Sequence, residues 1–322
     1  MTALLTADTD REAWLAARRK GIGASEIAAV LGISPWESPF SLYWRKVNGW
    51  DYEPSAEMEW GTRLEDAIAR KYEDAHPDLY VQKSGLCVGH EPWMLATPDR
   101  LIGIACRHPA GASTASMGYS SGCSDCMNTG MGEPPHGVLE LKTAHSADGW
   151  GEPGTDDIPV YYRAQVLWQM LIADVPSGEV AVLIGGSQYR EYLVRYDARD
   201  LDVMFEAGRR FMARIEAGDP PPIDDHHATI STLKRLHPDL EDTDAEVPES
   251  VAAGYARACE MERKAKAVKK RYEARLLAAM GAAKRATVGG RKVATRVIAD
   301  VAGYTVDAHR KDYLLAAKGK KS

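Results

Sequence analysis

The sequence predicts an α/β protein with a mixed central sheet flanked by helices, followed by a helical and hairpin extension. Three observations carry that expectation. Helical patterns fill most of the first 75 residues, and three extended segments follow them. A helix, a glycine-linked hairpin and a second helix then lead to a proline-rich break at residues 218–222. The length of 322 residues suits one large domain with an appendage, or two modest domains. A composition of 45% hydrophobic and 27% charged residues excludes wholesale disorder. No stretch approaches the run of about 18 apolar residues that a membrane-spanning helix needs.

The elements follow in chain order. Trp14, Leu15 and Ala17 lie on a helix ending near Gly21. Ser25 is suited as the N-cap of a helix from Glu26 to Leu31, which Gly32 ends. Ser38-Pro39 opens the next helix, with proline in the first turn, and Asn48-Gly49 closes it. Leu64, Ile68 and Tyr72, four apart, share one face of a helix over about Glu57–Glu73. Extended segments are expected at Leu79–Val88, Trp93–Ile104 and Gly137–Ala144. Cys106–Pro135 interrupts the last two with a Gly/Ser/Ala-rich insert of no period, and long irregular inserts are usually functional or flexible. Pro159–Ala173 is helical, Val180–Ile184 and Tyr189–Tyr196 form a hairpin across Gly185-Gly186, and Ala198–Ala217 is an amphipathic helix.

The break at Gly218–Pro222 divides an expected core, residues 1–222 with its insert at 105–136, from an extension, residues 223–322. The extension reads as one long helix over Val247–Met280, a hairpin turn at Val288–Arg291 and a short helix near Ala308. The net charge of −6 hides a strong polarity. Val251–Ser322 holds 18 basic and 6 acidic residues, whereas the other 250 hold 22 and 40. Such a tail invites a polyanion. Arg263, Lys264, Lys266, Lys269, Lys270 and Arg271 occupy more than one helical face, which favours phosphate contact over an amphipathic packing role; a protein-binding or oligomerisation arm is the rival. Trp14, Trp36, Trp44, Trp60 and Trp168 are assigned to packing.

The candidate chemistry centres on Asp99 and on Glu140-Leu141-Lys142, with Glu65 upstream and Gln165 downstream. Residues two apart on a strand project to one face, so Glu140 and Lys142 point together and Leu141 points away. Converging carboxylates repel one another unless a divalent cation joins them, and hard oxygen donors suit Mg2+ or Mn2+. Such an ion clamps a phosphodiester, and a lysine beside it holds water or offsets developing charge.

Several motifs in order resemble the YqaJ-like viral recombinases, relatives of phage lambda exonuclease within the PD-(D/E)xK nucleases. They are Arg18-Arg19-Lys20-Gly21-Ile22-Gly23-Ala24-Ser25-Glu26-Ile27, then Leu31–Trp36, then Gly61-x-x-Leu64-Glu65. Thr97-Pro98-Asp99, Gly137–Thr143 and Ile158-Pro159-x-x-Tyr162-x-x-Gln165 complete the set, which spans about Arg18–Tyr196. The resemblance implies a restriction-endonuclease-like core. It makes Asp99 and Glu140 the principal metal ligands, with the Leu141 carbonyl, and lets Glu65 complete the site directly or through water. Lys142 would activate or position the attacking water, and Gln165 would orient Lys142 or the nucleophile. Arg18 and Ser25 match positions that hold a terminal 5′ phosphate, with Arg19 as a substitute for Arg18. The implied activity is 5′→3′ digestion of double-stranded DNA ends, leaving 3′ single strands for an annealing partner. The implied assembly is a homo-oligomeric ring of three or four copies.

Two departures from the family pattern are Arg100, where glycine is common, and Gln169 in place of a second glutamine two residues after Gln165. A third is the insert, where Cys106, His108, Cys123 and Cys126 have spacing suited to a tetrahedral structural Zn2+, with His136 or Cys87 as alternative ligands. The widely separated cysteines of an iron–sulfur site are not evident. Two further readings are an endonuclease of the same fold and a DNA-binding or scaffolding protein without activity, the latter opposed by the intact Asp99, Glu140, Lys142 and Gln165. Met1–Arg11 lacks the basic start and apolar core of a secretory signal, and five cysteines do not make a disulfide framework in a chain this long. The expected compartment is therefore the cytoplasm, that of the host if the chain is phage-encoded.

Overall fold

The structure is a computed structural model describing residues 2–6, 9–51, 55–105 and 135–300. The chain forms two compact units, Met1–Leu236 and His237–Ser322. The first unit runs β1 (Thr2–Leu5), α1 (Arg11–Arg19), β2 (Ile22–Gly23), α2 (Ala24–Val30), α3 (Pro39–Asn48) and α4 (Ala56–Ala75). It continues with β3 (Leu79–Lys83), β4 (Leu86–Val88), β5 (Met94–Ala96), β6 (Arg100–Ile104) and β7 (Gly137–Ala144). Next come α5 (Val160–Ala173), β8 (Ser177–Ile184), β9 (Gln188–Arg195), α6 (Ala198–Ala217) and α7 (His227–Leu236).

The main sheet is mixed, in the order β3-β6-β7-β8-β9. Only the β7–β8 pair is parallel, with α5 as its crossover. The strand alternation of β7 and β8 divides the core between the two faces. Val138, Val180 and Val182 pack with Leu167 and Trp168 of α5, whereas Leu139, Leu141 and Ala181 pack with Ile68, Ala69 and Tyr72 of α4. A second sheet, β1-β4-β5-β2, and α2 lie beyond α5.

Local chemistry sets the helix ends. The Ser38 hydroxyl accepts from the Ser41 amide at 3.0 Å to start α3, and Gly49 stops it at φ +64°. Ser55 caps α4 through the Met58 amide at 3.3 Å. Gly185-Gly186 takes φ values of +57° and +76°, the tight hairpin turn expected between β8 and β9.

The structure differs from the sequence expectation in four places within this unit. Segments 79–88 and 93–104 are each broken in two, at Ser84-Gly85 and at Thr97–Asp99. One antiparallel ribbon thereby crosses from the small sheet (Cys87↔Ala96) to the large one (Lys83↔Arg100). A side chain at residue 85 would meet the Leu5 carbonyl at 2.0 Å, so the ribbon bends at glycine. The helix expected from Glu26 starts at Ala24 with Gly23 as its cap, because the Glu26 carboxylate accepts the Gly23 amide at 2.8 Å. Ser25 is thus inside the helix and its hydroxyl is not spent on capping. Trp36 and Trp60 do not pack in the core. They are 57% and 62% exposed, Trp36 in the α2–α3 loop and Trp60 in the first turns of α4. Finally, α7, beyond the proline break, is part of the first unit: its Thr229 meets the Ser38 hydroxyl at 2.6 Å, and the His226 ring just before it meets the Ser34 carbonyl at 3.1 Å.

The second unit contains α8 (Glu249–Met280) and the hairpin β10 (Arg285–Val288) with β11 (Arg291–Thr295), turned by Gly289-Gly290. No residue of α8 is buried. Arg263 and Lys264 pair with Glu260, and Lys266 pairs with Glu262. The helix expected near Ala308 lies outside the described residues.

Candidate active site

The site grows from a place where two strands part. β6 and β7 pair only through Ile102↔Gly137, Leu101↔Val138 and Arg100↔Leu139, whereas β7 stays paired with β8 as far as Ala144↔Ile184. Past Leu139 the edge of β7 is therefore open toward β6. Asp99, one residue before β6, fills that opening: its carboxylate accepts the Leu141 amide at 2.8 Å. The N–H and C=O of a strand residue face the same edge, so the Leu141 carbonyl faces this gap too.

Glu140 is 2% exposed and sits on the α5 face of the sheet. Its Oε1 accepts from Lys142 Nζ and from Gln165 Nε2 at 2.5 Å, and its Oε2 accepts from Gln169 Nε2 at 2.7 Å. Gln165 and Gln169 are one turn apart on α5 and so reach one carboxylate together. The Lys142 ammonium also lies 4.9 Å from the centre of the Tyr162 ring. Glu65 is half-buried on α4, close enough for its charge to be felt by this cluster.

Burial raises the Asp99 carboxyl well above the ordinary range, and the charges of Glu140 and Glu65 add to it against the opposing Lys142. Glu65 is raised as well, first by burial and then by Glu140, with Arg100 opposing. Burial alone would lower Lys142, but Glu140 and Asp99 outweigh it and hold the ammonium charged. A bound divalent cation would relieve the crowding of Asp99 and Glu140. Asp99, Glu140 and the Leu141 carbonyl are hard oxygen donors of the kind such an ion takes, so the residues fit it, with Glu140 exchanging one of its present donors. Among the described residues no three His, Cys, Asp or Glu side chains are grouped so as to hold a metal ion, so the donor set here is two carboxylates and a backbone carbonyl.

Arg100, the departure beside Asp99, turns to the α4 side. It is buried, bonds Asp66 at 2.6 Å and donates to the Asp99 carbonyl at 2.7 Å. It therefore braces the turn that carries Asp99.

A second polar cluster surrounds the N-terminal motif. Arg18 Nη2 lies 2.9 Å from the Ser25 hydroxyl and its guanidinium stacks 4.6 Å from the Trp14 ring. Arg19 is not brought there: consecutive helix residues diverge, and its guanidinium grips Asp51 at 3.0 and 2.9 Å. Beneath the pair lies buried Glu26, bonded to Arg45 at 2.7 Å and Lys46 at 2.8 Å and 3.9 Å from Arg18. Although burial opposes it, Lys46, Arg18 and Arg45 hold the Glu26 carboxyl far below the usual range. Sequence reasoning missed Arg45 and Lys46, because nothing in local spacing ties α3 to residues 18–26. Gln169 was signalled by its place one turn after Gln165.

The zinc expectation at Cys106, His108, Cys123 and Cys126 falls outside the described residues. Of the alternative ligands, Cys87 is buried in the core on β4, its thiol pushed up by burial. His136 is half-buried at the start of β7, where its amide bonds the Ile102 carbonyl at 2.9 Å.

Residues 13–176 match the family model described as the YqaJ-like viral recombinase domain. The uncharacterized protein YqaJ of Bacillus subtilis (strain 168) is 26% identical over 250 residues, covering 74% of this chain and 67% of that protein. Among solved structures, the alkaline exonuclease LHK-Exo from Laribacter hongkongensis is 19% identical with a TM-score of 0.45, over 70% of this chain and 98% of that one. A phage-related exonuclease from Haemophilus somnus 129PT is 8% identical with a TM-score of 0.40, over 67% and 96%.

Proposed function

The chain belongs to the YqaJ-like viral recombinase domain family, and from that premise we propose that it is a metal-dependent exonuclease acting on double-stranded DNA ends. The observation that carries the reading is the parting of β6 and β7, which sets Asp99 and the Leu141 backbone beside the Glu140–Lys142–Gln165 cluster.

Asp99, Glu140 and the Leu141 carbonyl would hold Mg2+ or Mn2+, with Glu65 completing the set. When bound, the ion supplies Lewis-acid chemistry at the scissile phosphate. Lys142 carries three donors and no acceptor while charged, so it holds the attacking water or the phosphate oxygens by donation. Gln165 and Gln169 fix the Glu140 carboxylate. Arg18 and Ser25 together offer a guanidinium fork and a hydroxyl to a terminal phosphate, which favours attack from a 5′ end over cutting within a duplex. The product, a 3′ single strand, suits an annealing protein. The same reading includes a homo-oligomeric ring, and Lys269, Lys270 and Arg271 on α8 are assigned to phosphate contact.

The test is digestion of a linear duplex with a 5′ phosphate, in Mg2+ and in EDTA, beside a circular duplex and Lys142→Ala. The reading expects metal-dependent loss of the phosphorylated linear strand and a drop of about 100-fold or more for Lys142→Ala, with DNA binding retained. A circle cut equally well points to an endonuclease. No cleavage of either duplex in Mg2+, or with Mn2+ in its place, leaves a DNA-binding protein.

A further inference from the structure

A line of contacts joins the Arg18–Ser25 pair to the Glu140–Lys142 site, and an exposed tryptophan backed by a half-buried tyrosine stands on it. From Arg18 the line passes through Glu26 to Arg45, and from Arg45 to Glu37 at 2.8 Å. Trp36, next in sequence to Glu37, meets Tyr161 edge to face at 4.8 Å. Tyr161 meets Tyr162 at 4.6 Å, and the Tyr162 ring lies 4.9 Å from the Lys142 ammonium.

Trp36 is the exposed member of this line, and its turn is rigid. The Ser34 hydroxyl accepts from the amides of both Trp36 and Glu37 at 3.2 Å, and Arg45 anchors the Glu37 carboxylate. A Trp that served only packing would turn its ring inward; this one is presented outward from a braced loop, 57% exposed, against a tyrosine from another element. Aromatic faces held beside a phosphate-binding groove stack unpaired bases whatever their sequence.

We infer that Trp36, supported by Tyr161, is a stacking ledge for the unpaired base of the 5′-terminal nucleotide. That nucleotide's 5′ phosphate would rest on Arg18 and Ser25 and its 3′ phosphate at Glu140 and Lys142. The ledge takes the nucleobase between two phosphate sites, and it makes Trp36 a positioning residue for the end nucleotide. This inference rests on the exonuclease reading above.

The test uses the full chain with magnesium withheld. Competition anisotropy compares two duplexes with a 5′ phosphate, one ending in thymidine and one in an abasic tetrahydrofuran analogue. For the parent, removing the base is expected to weaken binding about tenfold. Trp36→Ala is expected to bind the thymidine end about tenfold more weakly than the parent, and to treat both ends alike. Trp36→Phe keeps a flat ring and is expected to restore most of the discrimination. Equal binding of both ends by the parent overturns the ledge, and so does discrimination that survives in Trp36→Ala. If Trp36→Ala fails to fold by circular dichroism, Trp36→Leu, of intermediate size and without a π face, takes its place with the same expected loss. Digestion of the thymidine duplex by the parent in Mg2+ separates the two claims. Digestion without base discrimination removes the ledge alone, and no digestion removes the exonuclease reading and the ledge with it.

Discussion

Glu26 shows how one buried charge organises its surroundings. It is the shared acceptor of Arg45, Lys46 and the Gly23 amide, so its loss removes the carboxylate that faces the buried Lys46 ammonium and one of those that face Arg45. Removing one member of such a cluster costs about 3–5 kcal/mol, and Glu26→Gln is expected to lower stability at pH 7 by an amount of that order in urea unfolding. The pH dependence follows from the direction of the shift. Lys46, Arg18 and Arg45 overcome burial and depress the folded-state carboxyl, so its contribution is complete above its ordinary value of 4.5 and declines as pH falls below it. The parent should therefore lose stability more steeply below that pH than Glu26→Gln does. Parallel acid limbs for the two proteins would contradict the assignment. Arg18 makes a separate prediction about ends. Its fork and the Ser25 hydroxyl are already 2.9 Å apart, so Arg18→Ala should abolish the preference for 5′-phosphorylated over 5′-hydroxyl ends while leaving the protein folded by circular dichroism. A preference that survives would move the phosphate site elsewhere.

Elements hold the catalytic cluster by close approach, and Gly178 is a place where β8 and α5 touch tightly. A methyl there would lie 2.3 Å from Val166 Cγ1 and 2.8 Å from Met170 Sδ, both on the helix that carries Gln165 and Gln169. Gly178→Ala should cost about 1–3 kcal/mol by overpacking. It should also slow cleavage by shifting the two glutamines away from Glu140, while leaving the 5′-phosphate preference unchanged; a variant as stable and as active as the parent would show that α5 yields freely. How far such elements can be read in a sequence depends on how local their causes are. α3 was legible because Ser38, Pro39 and Gly49 act within a few residues, and α4 because Leu64, Ile68 and Tyr72 repeat on one face. β1 and β2 were not, being four and two residues long and held by partners distant in sequence. The breaks at Gly85 and Pro98 were hidden because either side of each reads as continuous strand, and only the pairing reveals two sheets. The same division runs through the candidate site. Glu140 and Lys142 were placed together by strand alternation and joined to Asp99 and Gln165 by motif order. The Glu26–Arg45–Lys46 cluster depends on α3 packing beside α2, which no spacing encodes.

At the scale of the molecule, charge is divided as unevenly as structure. The residues from Val251 onward hold 18 basic and 6 acidic side chains, and α8 buries none of its residues. A helix of 32 residues with no buried face gains little from packing, so its sequence is shaped by what its surface meets. Arg263, Lys264 and Lys266 are partly answered by Glu260 and Glu262 on the same helix, which makes Lys269, Lys270 and Arg271 the sharper choice for an external polyanion. Each cation that contacts a phosphate releases counterions on binding and steepens the salt dependence of affinity by about 0.9 in log–log slope. Replacing Lys269, Lys270 and Arg271 by alanine should therefore weaken duplex binding at low salt and flatten that slope by about one unit or more. It should leave the 5′-phosphate preference intact, because Arg18 and Ser25 lie in the other unit. An unchanged slope accompanied by a change in sedimentation would assign the tail to protein contact instead. The two outcomes differ in kind, since loss of phosphate contacts acts on every duplex alike, whereas loss of an oligomer contact depends on protein concentration.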